Sequence, residues 1–274
     1  MTARLFAAVV GDPVEHSLSP ELFKRFSEAT GRPLVYRKRR VETGHLLRAL
    51  EQTVHEPWAG WNVTLPHKVA IVDHCTRLDP SAEEAGAVNV IRFDASERIG
   101  YNTDAEGFIA PLDARGFVPR GKRALVLGAG GAARAVCAAL RRRGIGELVV
   151  LNRTVETARA LAESCDGRWG SLDAADRETE GADLVVNATS LGLTESRSPV
   201  NPGARFKAGA IAYDLVYRPT WTPFLRVAQA GGAATLGGME MLAAQAAATW
   251  KIWFGETLPP EVVENAARDI WEAS

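Results

Sequence analysis

The middle of the chain carries the feature that most constrains its fold, a strand–helix–strand pattern with a glycine turn. In "ALVLGAGGAARAVCAALRRRGIGELVVLNR", a short apolar run leads to a glycine-rich turn, an alanine-rich helical segment and a second apolar run. Gly128, Gly130 and Ala133 stand in the G-x-G-x-x-A register between the first predicted strand and the helix. The first glycine permits a tight turn, the second lets the backbone approach a pyrophosphate, and the small third residue lets helix and strand pack closely. The pattern predicts a Rossmann-type unit that binds a dinucleotide, with a glycine turn that binds no ligand as the alternative.

The end of the second apolar run indicates which dinucleotide is preferred. An NAD site usually has Asp or Glu there, about 20 residues after the glycines, to bind the ribose 2′-hydroxyl. This chain has Asn152, Arg153 and Thr154. Thr154 can cap the next predicted helix, while Arg153 stands where the helix dipole disfavours a cation unless an anion joins it. A 2′-phosphate is such an anion and accepts a bidentate guanidinium contact, so the sequence favours NADP, with a solvated surface arginine as the alternative.

Strand and helix patterns alternate along the rest of the chain as well. "LFAAVVG", "LVYRKRRV", "AVNVIRF" and "RIGYNTD" are typical of strands, and "SPELFKRFSEATG" and "TGHLLRALEQTV" are typical of helices. Ser19 is the expected N-cap of the first helix, Pro20 its first position, and Gly31 the residue just past its end. "GMEMLAAQAAATWKIWFG" and "PPEVVENAARDIWEA" predict two helices near the C-terminus. This alternation predicts an α/β fold with mostly parallel sheets and helices on their faces.

The length favours two domains. The chain has 274 residues, and a domain typically takes about 150. We predict two α/β domains, an N-terminal one with a mostly parallel sheet in residues 1–104 and a Rossmann-type one in residues 105–237. Residues 238–274 are expected to form helices.

Composition excludes several classes of function. The formal net charge of -1 gives no electrostatic reason to expect nucleic acid or an anionic membrane as a partner. Apolar runs such as "FAAVV" are far too short to span a bilayer, and the N-terminus is too weak for a signal peptide, so we expect a cytoplasmic protein. The three cysteines are far apart in sequence, with Cys137 in a helical pattern that predicts a buried thiol, and a disulfide framework is not expected. His67 and His74 have no further ligand at metal-binding spacing, so no metal site is expected.

One lysine stands where a cation is disfavoured. "GWNVTLPHK" has a strand-like run that Pro66 ends, and "HKVAIVDHC" then predicts a helix with Lys68 in its first turn. The N-terminus of a helix already carries partial positive charge. A solvated surface lysine is the simplest interpretation, and a functional cation with an acidic partner is the alternative.

Nine segments of the chain together resemble a known family. They are "GDPVEHSLSP", "NVTLPHK", "AGAVNV", "YNTDAEG", "LGAGGAAR", "NRT", "NATSLG", "YDLVY" and "GMEMLAAQAA", in this order and at fitting separations. The whole chain therefore resembles the shikimate dehydrogenases of aromatic amino-acid biosynthesis, which use NADP to interconvert 3-dehydroshikimate and shikimate. The resemblance implies that the helices of residues 238–274 pack back on the first domain. It also implies that the first domain and these helices bind the substrate and that the middle domain binds NADP.

The resemblance also implies roles for individual residues. Lys68 and Asp104 form the catalytic pair, Ser17 and Ser19 hold the substrate carboxylate, and Tyr217 lies near it. The residues implied to contact ring hydroxyls are Asn62, Thr64, Asn89, Asp104 and Gln245. The residues expected to contact the cofactor are Gly128, Ala129, Gly130, Gly131, Ala132, Asn152, Arg153, Thr154, Thr189, Ser190, Leu215 and Gly238.

The chemistry of these residue types fits a polyhydroxylated carboxylate. Ser, Thr, Asn, Gln and Asp supply short, oriented donors and acceptors. Hydride delivery to a ketone builds negative charge on oxygen, and Lys68 is a candidate donor to that oxygen, with Asp104 holding its ammonium. An ordinary lysine, with a pKa near 10.4, is a poor base at neutral pH, so the reverse reaction requires a lowered pKa or a proton relay. Each residue also has a simpler interpretation: Ser19 or Asp104 as a helix cap, Asn89 in a turn, Gln245 on a helix surface.

Two departures from the family pattern leave other functions open. Thr157 stands where the family often has a second arginine for the cofactor, and Arg159 lies two positions later; "ELFKRF" lacks a His-Asn pair that is common in the family. One alternative is a broader quinate/shikimate dehydrogenase that uses NAD or NADP, although Ser19 stands where quinate-using relatives often have threonine. Others are a shikimate sensor without turnover and a reductase of another carbonyl compound. The sequence is compatible with a monomer or a homodimer.

Overall fold

The computed structural model describes residues 5–193 and 195–272, without the side chains of residues 54 and 55. Contacts between Cα atoms divide the chain into two compact units. The first unit consists of the chain up to Asp104 together with Ala243–Glu272, and the second unit is Ala105–Leu242. The predicted fold of two α/β units with mostly parallel pairing is confirmed. No helix among the described residues has both the length and the apolar character needed to cross a membrane.

The first unit is built on a six-stranded sheet. Its strands are β1 (Leu5–Gly11), β2 (Leu34–Arg40), β3 (Trp58–Val63), β4 (Arg77–Leu78), β5 (Val90–Asp94) and β6 (Glu97–Tyr101), in the order β2-β1-β3-β5-β6-β4. The pairs β1–β2, β1–β3 and β4–β6 are parallel, whereas β3–β5 and β5–β6 are antiparallel. The antiparallel pairing of β5 with β3 and β6 brings the end of β3, the start of β5 and the segment after β6 to one region of the sheet. Most of the polar side chains considered below project from that region.

Helices of the first unit cover this sheet. They are α1 (Ser19–Thr30), α2 (Leu46–Glu51), α3 (Pro80–Ala85) and α10 (Pro260–Glu272), with short 3₁₀ helices at Gln52–His55 and Ala70–His74. Two longer helices, α4 (Asp104–Ala114) and α9 (Gly238–Phe254), continue from one unit into the other along the chain. Helix α10 packs on α1, where Arg25 and Asp269 form an ion pair at 2.6 Å.

The second unit is built on a six-stranded sheet with every pair parallel. Its strands are β7 (Arg123–Leu127), β8 (Glu147–Asn152), β9 (Arg168–Ser171), β10 (Leu184–Asn187), β11 (Ile211–Asp214) and β12 (Ala234–Leu236), in the order β12-β11-β10-β7-β8-β9. The helices are α5 (Gly131–Arg142), α6 (Val155–Ser164), α7 (Ala175–Thr179) and α8 (Pro223–Ala230), with a 3₁₀ helix at Leu172–Ala174. Separate apolar cores lie on the two faces of the sheet. The order of strand addition reverses at β7, because β8 and β9 lie on one side of it and β10, β11 and β12 on the other. The carboxyl ends of the strands at such a switch point form a ligand-binding crevice.

Two local predictions are wrong. Ser19 is the first residue of α1 and not its cap, since the N-cap position is Leu18; Ser19 N donates to Ser17 Oγ at 3.3 Å. Lys68 does not lie in the first turn of a helix, since only a 3₁₀ turn forms and it begins at Ala70. No helix N-terminus therefore lies at Lys68. The contacts of its side chain, described below, account for its position.

Candidate active site

Lys68 and Asp104 form an ion pair in the first unit. Lys68 follows β3, Asp104 opens α4, and the ammonium Nζ donates to Asp104 Oδ2 at 2.7 Å. Their side chains are 29% and 13% exposed, so the pair is partly shielded while the ammonium remains accessible. The backbone carbonyl of Lys68 accepts a hydrogen bond from Val88 N at 2.8 Å, which fixes the segment that carries the side chain. The predicted pairing of Lys68 with Asp104 is present in the structure.

Two amides hold the other carboxylate oxygen of Asp104. Asn89 Nδ2 donates to Oδ1 at 2.8 Å, and Gln245 Nε2 donates to the same atom at 2.7 Å. Asn89 is itself held by Thr103, whose backbone N donates to Asn89 Oδ1 at 2.9 Å. Hydrogen bonds to a carboxylate are stronger than neutral ones. The orientation of Asp104 is therefore fixed by three donors from different parts of the sequence.

Asp104 does not act as the cap of its helix. Its backbone N donates to Asn102 Oδ1 at 3.0 Å, so the Asn102 side chain satisfies the first turn of α4. The Asp104 carboxylate is thereby left for Lys68, Asn89 and Gln245. Gln245 is half-buried on α9 and is not a solvated surface residue.

A second chain of hydrogen bonds runs through Asn62. Asn62 lies on β3 and donates from Nδ2 to Thr249 Oγ1 at 3.2 Å, and Tyr36 Oη donates to Asn62 Oδ1 at 2.8 Å. Thr249 in turn donates to the backbone carbonyl of Gln245 at 2.9 Å. The network therefore extends from Asn62 to the helix that carries Gln245.

The two serines lie beside this network. Ser17 Oγ donates to Ser19 Oγ at 3.2 Å. Burial raises the pKa of Tyr36 far above its ordinary value, against a smaller opposing effect of Ser19, so the phenol stays neutral and keeps its proton to donate. The hydroxyl of Ser19 is paired with that of Ser17.

Thr64 stands at a close approach of the chain to itself. Its backbone N donates to Val10 O at 2.8 Å. A Cβ placed on Gly11 would lie 2.4 Å from Thr64 Cγ2 and 2.8 Å from Leu65 O, a separation that atoms do not adopt. Gly11 is therefore needed for β1 to pass the segment that carries Thr64. Of the predicted residues of the first unit, Asn62, Thr64 and Lys68 lie on or after β3, Asn89 precedes β5, and Asp104 follows β6.

Sequence reasoning missed two members of this network. Tyr36 lies in the strand β2 sequence "LVYRKRR", where it reads as one more strand residue, and Thr249 lies in the apolar run "AAATWKIW" of α9. A buried hydroxyl usually has a hydrogen-bond partner, and this is the only signal that points to either residue.

In the second unit, the predicted cofactor residues lie at the carboxyl ends of the parallel strands. Gly128 follows β7 with φ +106°, and a Cβ there would lie 2.8 Å from Ala188 O, after β10. Gly130 is the N-cap of α5, and Gly131 is its first residue. A Cβ on Gly130 or Gly131 would meet no protein atom within 4 Å, and both residues are exposed together with Ala132. Ala133 is fully buried, and Ala129 is 5% exposed, so the small residues of the turn permit close packing of α5 on β7.

Asn152, Arg153 and Thr154 connect β8 to α6. Asn152 Nδ2 donates to Thr154 O at 3.0 Å. Thr154 occupies the N-cap position of α6 as expected, but its side chain makes no capping hydrogen bond. Arg153 is exposed, and so is Thr157. Arg159 forms an ion pair with Glu163 at 2.7 Å and lies 5.5 Å from the centre of the Trp169 ring.

A buried polar cluster holds the loops after β10 and β11. Asn187 Nδ2 donates to Asp214 Oδ1 at 2.9 Å, and Asn187 Oδ1 accepts from Thr189 Oγ1 at 2.7 Å. Thr222 Oγ1 donates to Asp214 Oδ2 at 2.5 Å. Burial raises the pKa of Asp214 to about 6, against the opposing effect of its hydrogen bonds from Thr222, Val216 N and Asn187. The cluster fixes the start of the loop that contains Thr189 and the exposed Ser190.

Leu215 and Gly238 lie close together after strands β11 and β12. Leu215 N donates to Asn187 O at 3.0 Å. A Cβ on Gly238, the first residue of α9, would lie 2.5 Å from Leu215 O. Tyr217 is half-buried in the segment after β11. The predicted cofactor residues therefore share one edge of the second sheet, while Tyr217 belongs to the second unit and not to the network around Asp104.

The residues at the carboxyl ends of the second sheet's strands suit the binding of a dinucleotide. The space above Gly130 and Gly131 is open to a pyrophosphate, and the backbone N–H groups at the start of α5 point toward an anion placed there. Arg153 is exposed, and "NRT" lacks the carboxylate that an NAD site usually has at this place. The residues present therefore suit a dinucleotide with a 2′-phosphate.

Family models match three parts of the chain. They are the shikimate dehydrogenase substrate binding domain over residues 9–91, shikimate / quinate 5-dehydrogenase over residues 115–195, and the shikimate 5′-dehydrogenase C-terminal domain over residues 238–268.

Relatives and solved structures match nearly the full length. Shikimate dehydrogenase (NADP(+)) of Moorella thermoacetica is 43% identical, over 97% of this chain and 94% of that protein. The protein of the same name from Methanopyrus kandleri is 39% identical, over 94% and 93%. A crystal structure of shikimate 5-dehydrogenase from Thermus thermophilus in complex with NADP(H) and shikimate is 41% identical, with a TM-score of 0.87 over 97% of this chain and 99% of that one.

Proposed function

The chain belongs to the shikimate dehydrogenase family, and we propose that it catalyses the reversible NADP-dependent reduction of 3-dehydroshikimate to shikimate. The observation that carries this proposal is the Lys68–Asp104 pair at 2.7 Å, surrounded by amides and hydroxyls of the first unit. Such a set suits a ring that carries a carboxylate, several hydroxyls and one reducible ketone. The role is biosynthetic, in the pathway to chorismate and the aromatic amino acids.

Lys68 is the proposed donor to the reacting oxygen. Reduced NADP, when bound, supplies the hydride. Negative charge then develops on the ketone oxygen, and an ammonium aimed at that oxygen stabilises it and can deliver the proton. Asp104 holds the ammonium in place, and its second oxygen is kept in orientation by Asn89 and Gln245. In the direction of oxidation the same pair receives the proton of the shikimate hydroxyl.

The remaining polar residues of the first unit are proposed to bind the substrate. Ser17 and Ser19 receive the carboxylate, because hydroxyls can donate to it without placing a second cation near Lys68. Tyr217 is proposed to lie near the same carboxylate. The residues proposed to contact ring hydroxyls are Asn62, Thr64, Asn89, Asp104 and Gln245.

The carboxyl edge of the second sheet is proposed to bind NADP. The turn from Gly128 to Ala132 receives the pyrophosphate on backbone N–H groups. Arg153, beside Asn152 and Thr154, contacts the 2′-phosphate. Thr189, Ser190, Leu215 and Gly238 are also proposed to contact the cofactor.

The domain roles and the setting of the enzyme belong to the same proposal. Residues 1–104 with the C-terminal helices of 238–274 act on the substrate, and residues 105–237 act on the cofactor. The three cysteines are free thiols, as expected in the reducing cytoplasm that we propose as its location. We expect small molecules as its ligands, no nucleic acid or membrane as a partner, and a monomer or homodimer.

The test is the initial rate with shikimate and with quinate, each paired with NADP and with NAD. We expect a high kcat/KM only for shikimate with NADP. Comparable rates with quinate or NAD would replace the proposal by a broader quinate/shikimate dehydrogenase. Binding of shikimate without turnover under any pairing would favour a sensor.

A further inference from the structure

Two hydroxyls hold the side-chain amide of Asn62, one at its oxygen and one at its nitrogen. Tyr36 Oη donates to Asn62 Oδ1 at 2.8 Å, and Asn62 Nδ2 donates to Thr249 Oγ1 at 3.2 Å. Tyr36 is on β2 and Thr249 is on α9, 26 and 187 residues away from Asn62 along the chain. Neither hydroxyl belongs to the substrate or cofactor contacts proposed above.

The directions of these hydrogen bonds favour one orientation of the amide. Thr249 Oγ1 donates its own proton to the carbonyl of Gln245 at 2.9 Å, so it accepts from Asn62. An amide oxygen can only accept, so the phenol of Tyr36 donates to it, and burial raises the pKa of Tyr36 so that this proton is kept. With the amide reversed, an N–H of Asn62 would face the phenol proton. The two hydroxyls therefore keep the amide oxygen on the side of Tyr36.

Ring packing fixes the place of the Tyr36 hydroxyl. The Tyr36 ring stacks on the ring of Phe23 with a centroid distance of 4.5 Å and an interplanar angle of 16°. The ring of Trp253 lies 6.3 Å from that of Tyr36, and its own N–H donates to Ile91 O at 3.0 Å. Aromatic pairs at such distances stabilise each other beyond the area that they bury. The phenol is therefore aimed at Asn62 by its ring, and a phenylalanine would fit the same space.

Asn62 still has a donor to offer to a ligand. It is half-buried on β3. An amide nitrogen carries two N–H groups, and within the described ranges of the chain only one of them is used, by Thr249. Thr249 also contacts the backbone of Gln245, whose side chain donates to Asp104 at 2.7 Å. The two hydroxyls therefore lie directly behind groups that are proposed to contact the substrate ring.

From this arrangement we infer that Tyr36 and Thr249 are positioning residues, which hold the Asn62 amide in one orientation toward a hydroxyl of the substrate ring. This role rests on the proposed function, because it acts through the substrate contact of Asn62. An amide that is already oriented loses little rotational freedom when the substrate binds, so more of its hydrogen-bond energy remains as affinity. Loss of either hydroxyl frees the amide to turn and weakens the contact.

Removing the single oxygen atom of the Tyr36 side chain is the first test. Tyr36→Phe should raise KM for shikimate by roughly three- to ten-fold, the equivalent of one hydrogen bond. Both kcat and KM for NADP should change far less, because Lys68 and Asp104 keep their contacts.

Tyr213→Phe is the matched control for this variant. The Tyr213 ring also stacks on a phenylalanine, Phe108, at 5.2 Å, but its hydroxyl has no hydrogen-bond partner among the described residues. We expect Tyr213→Phe to keep the wild-type KM for shikimate. An unchanged KM in Tyr36→Phe, or an equal rise in Tyr213→Phe, would overturn the inference.

Thr249 allows a rescue by a conservative variant. Thr249→Val removes the acceptor of the Asn62 N–H and keeps the branched shape of the side chain, so it should also raise KM for shikimate. Thr249→Ser keeps a hydroxyl at this place and should return KM to near the wild-type value. Equal KM values in the valine and serine variants would show that the hydroxyl does not act on substrate binding, which contradicts the inference.

A double variant separates positioning from a general effect on the fold. Asn62→Ala has no amide to orient, so the addition of Tyr36→Phe should raise KM for shikimate no further. A further rise by the same factor as in the wild-type background would show that Tyr36 acts by another route and would overturn the inference.

Calorimetric measurement of Kd for shikimate keeps this test apart from that of the proposed function. A wild type that binds shikimate without turning it over would contradict the proposed reaction, and the shifts expected in KM should then appear in Kd. A wild type that turns shikimate over, with a Tyr36→Phe variant that matches it in both KM and Kd, would contradict the positioning role alone.

Discussion

The two units assemble their functional groups in different ways. In the first unit the candidate site is a network of side chains on β2, β3, α4 and α9 and in the segment after β3, in which Asp104 and Asn62 are the junctions. In the second unit the candidate site is a row of strand ends where glycines let backbones approach each other or leave space for a ligand. Chemistry at a ketone needs charged and oriented side chains, whereas a pyrophosphate can be bound by backbone N–H groups alone.

This difference separates the effects of mutations. In the first unit, removing a side chain should remove chemistry and leave the fold. In the second unit, adding a Cβ should either strain the protein or displace the cofactor, depending on what the Cβ meets. The following substitutions test that distinction.

Replacing Lys68 should have the largest effect. Lys68→Ala removes the proposed donor to the developing oxyanion, and a general acid contributes roughly 10²–10⁴-fold. We expect kcat to fall by that factor and KM for shikimate to change far less, as measured in steady-state assays. Lys24→Ala on α1, whose side chain is 75% exposed, is the control. Nearly normal turnover of Lys68→Ala would remove Lys68 from the mechanism.

Replacing Asp214 should change the dependence of stability on pH. Burial raises the pKa of Asp214 from 3.8 to about 6, so the folded protein holds this proton over a range where the unfolded chain has lost it. Its contribution is fully present below 3.8 and is lost as the pH rises through about 6. The shift corresponds to on the order of 3 kcal/mol in the free energy of unfolding.

Urea unfolding of the wild type and of Asp214→Asn across this pH range measures the effect. The asparagine has no proton to lose, so the free energy of unfolding of the wild type should fall relative to that of the variant as the pH rises from 3.8 through about 6. Parallel curves would mean that the carboxyl of Asp214 is not held protonated in the folded protein.

Two glycines should respond to alanine in opposite ways. A Cβ on Gly238 would lie 2.5 Å from Leu215 O, so Gly238→Ala should lower the free energy of unfolding by roughly 1–3 kcal/mol. A Cβ on Gly130 meets open space, so Gly130→Ala should leave stability unchanged and raise KM for NADP. Denaturant unfolding together with cofactor titration distinguishes them. Equal loss of stability in both variants would contradict the assignment of Gly130 to the cofactor.

Replacing Arg153 should have the smallest effect and should be specific to one cofactor. A hydrogen bond to a charged group contributes about 1.5–3 kcal/mol, so Arg153→Ala should raise KM for NADP by about ten-fold or more and leave KM for NAD unchanged. Arg159→Ala is the matched control, since Arg159 is engaged by Glu163. If Arg159→Ala has the larger effect, the 2′-phosphate contact belongs to Arg159.

The sequence predicted the two α/β units and the glycine turn because these depend on local patterns. Apolar runs, glycines and caps act over a few residues, and the spacing of Gly128, Gly130 and Ala133 indicates backbone geometry directly. The pairing of Lys68 with Asp104 came from the family resemblance, since no spacing rule joins residues on different elements.

The errors have identifiable physical causes. The segment after Pro66 makes only a 3₁₀ turn, so periodicity alone misplaced Lys68 in a helix. Tyr36 and Thr249 were missed because their hydroxyls meet Asn62 across long stretches of chain.

A double-mutant cycle on Lys68 and Asp104 tests whether Asp104 acts on turnover through the Lys68 ammonium. If Asp104 acts on turnover by holding the Lys68 ammonium, then kcat of the Lys68→Ala, Asp104→Asn double variant should be no lower than that of Lys68→Ala alone. Losses that multiply in the double variant would show that the two residues act independently and would contradict the account of the pair.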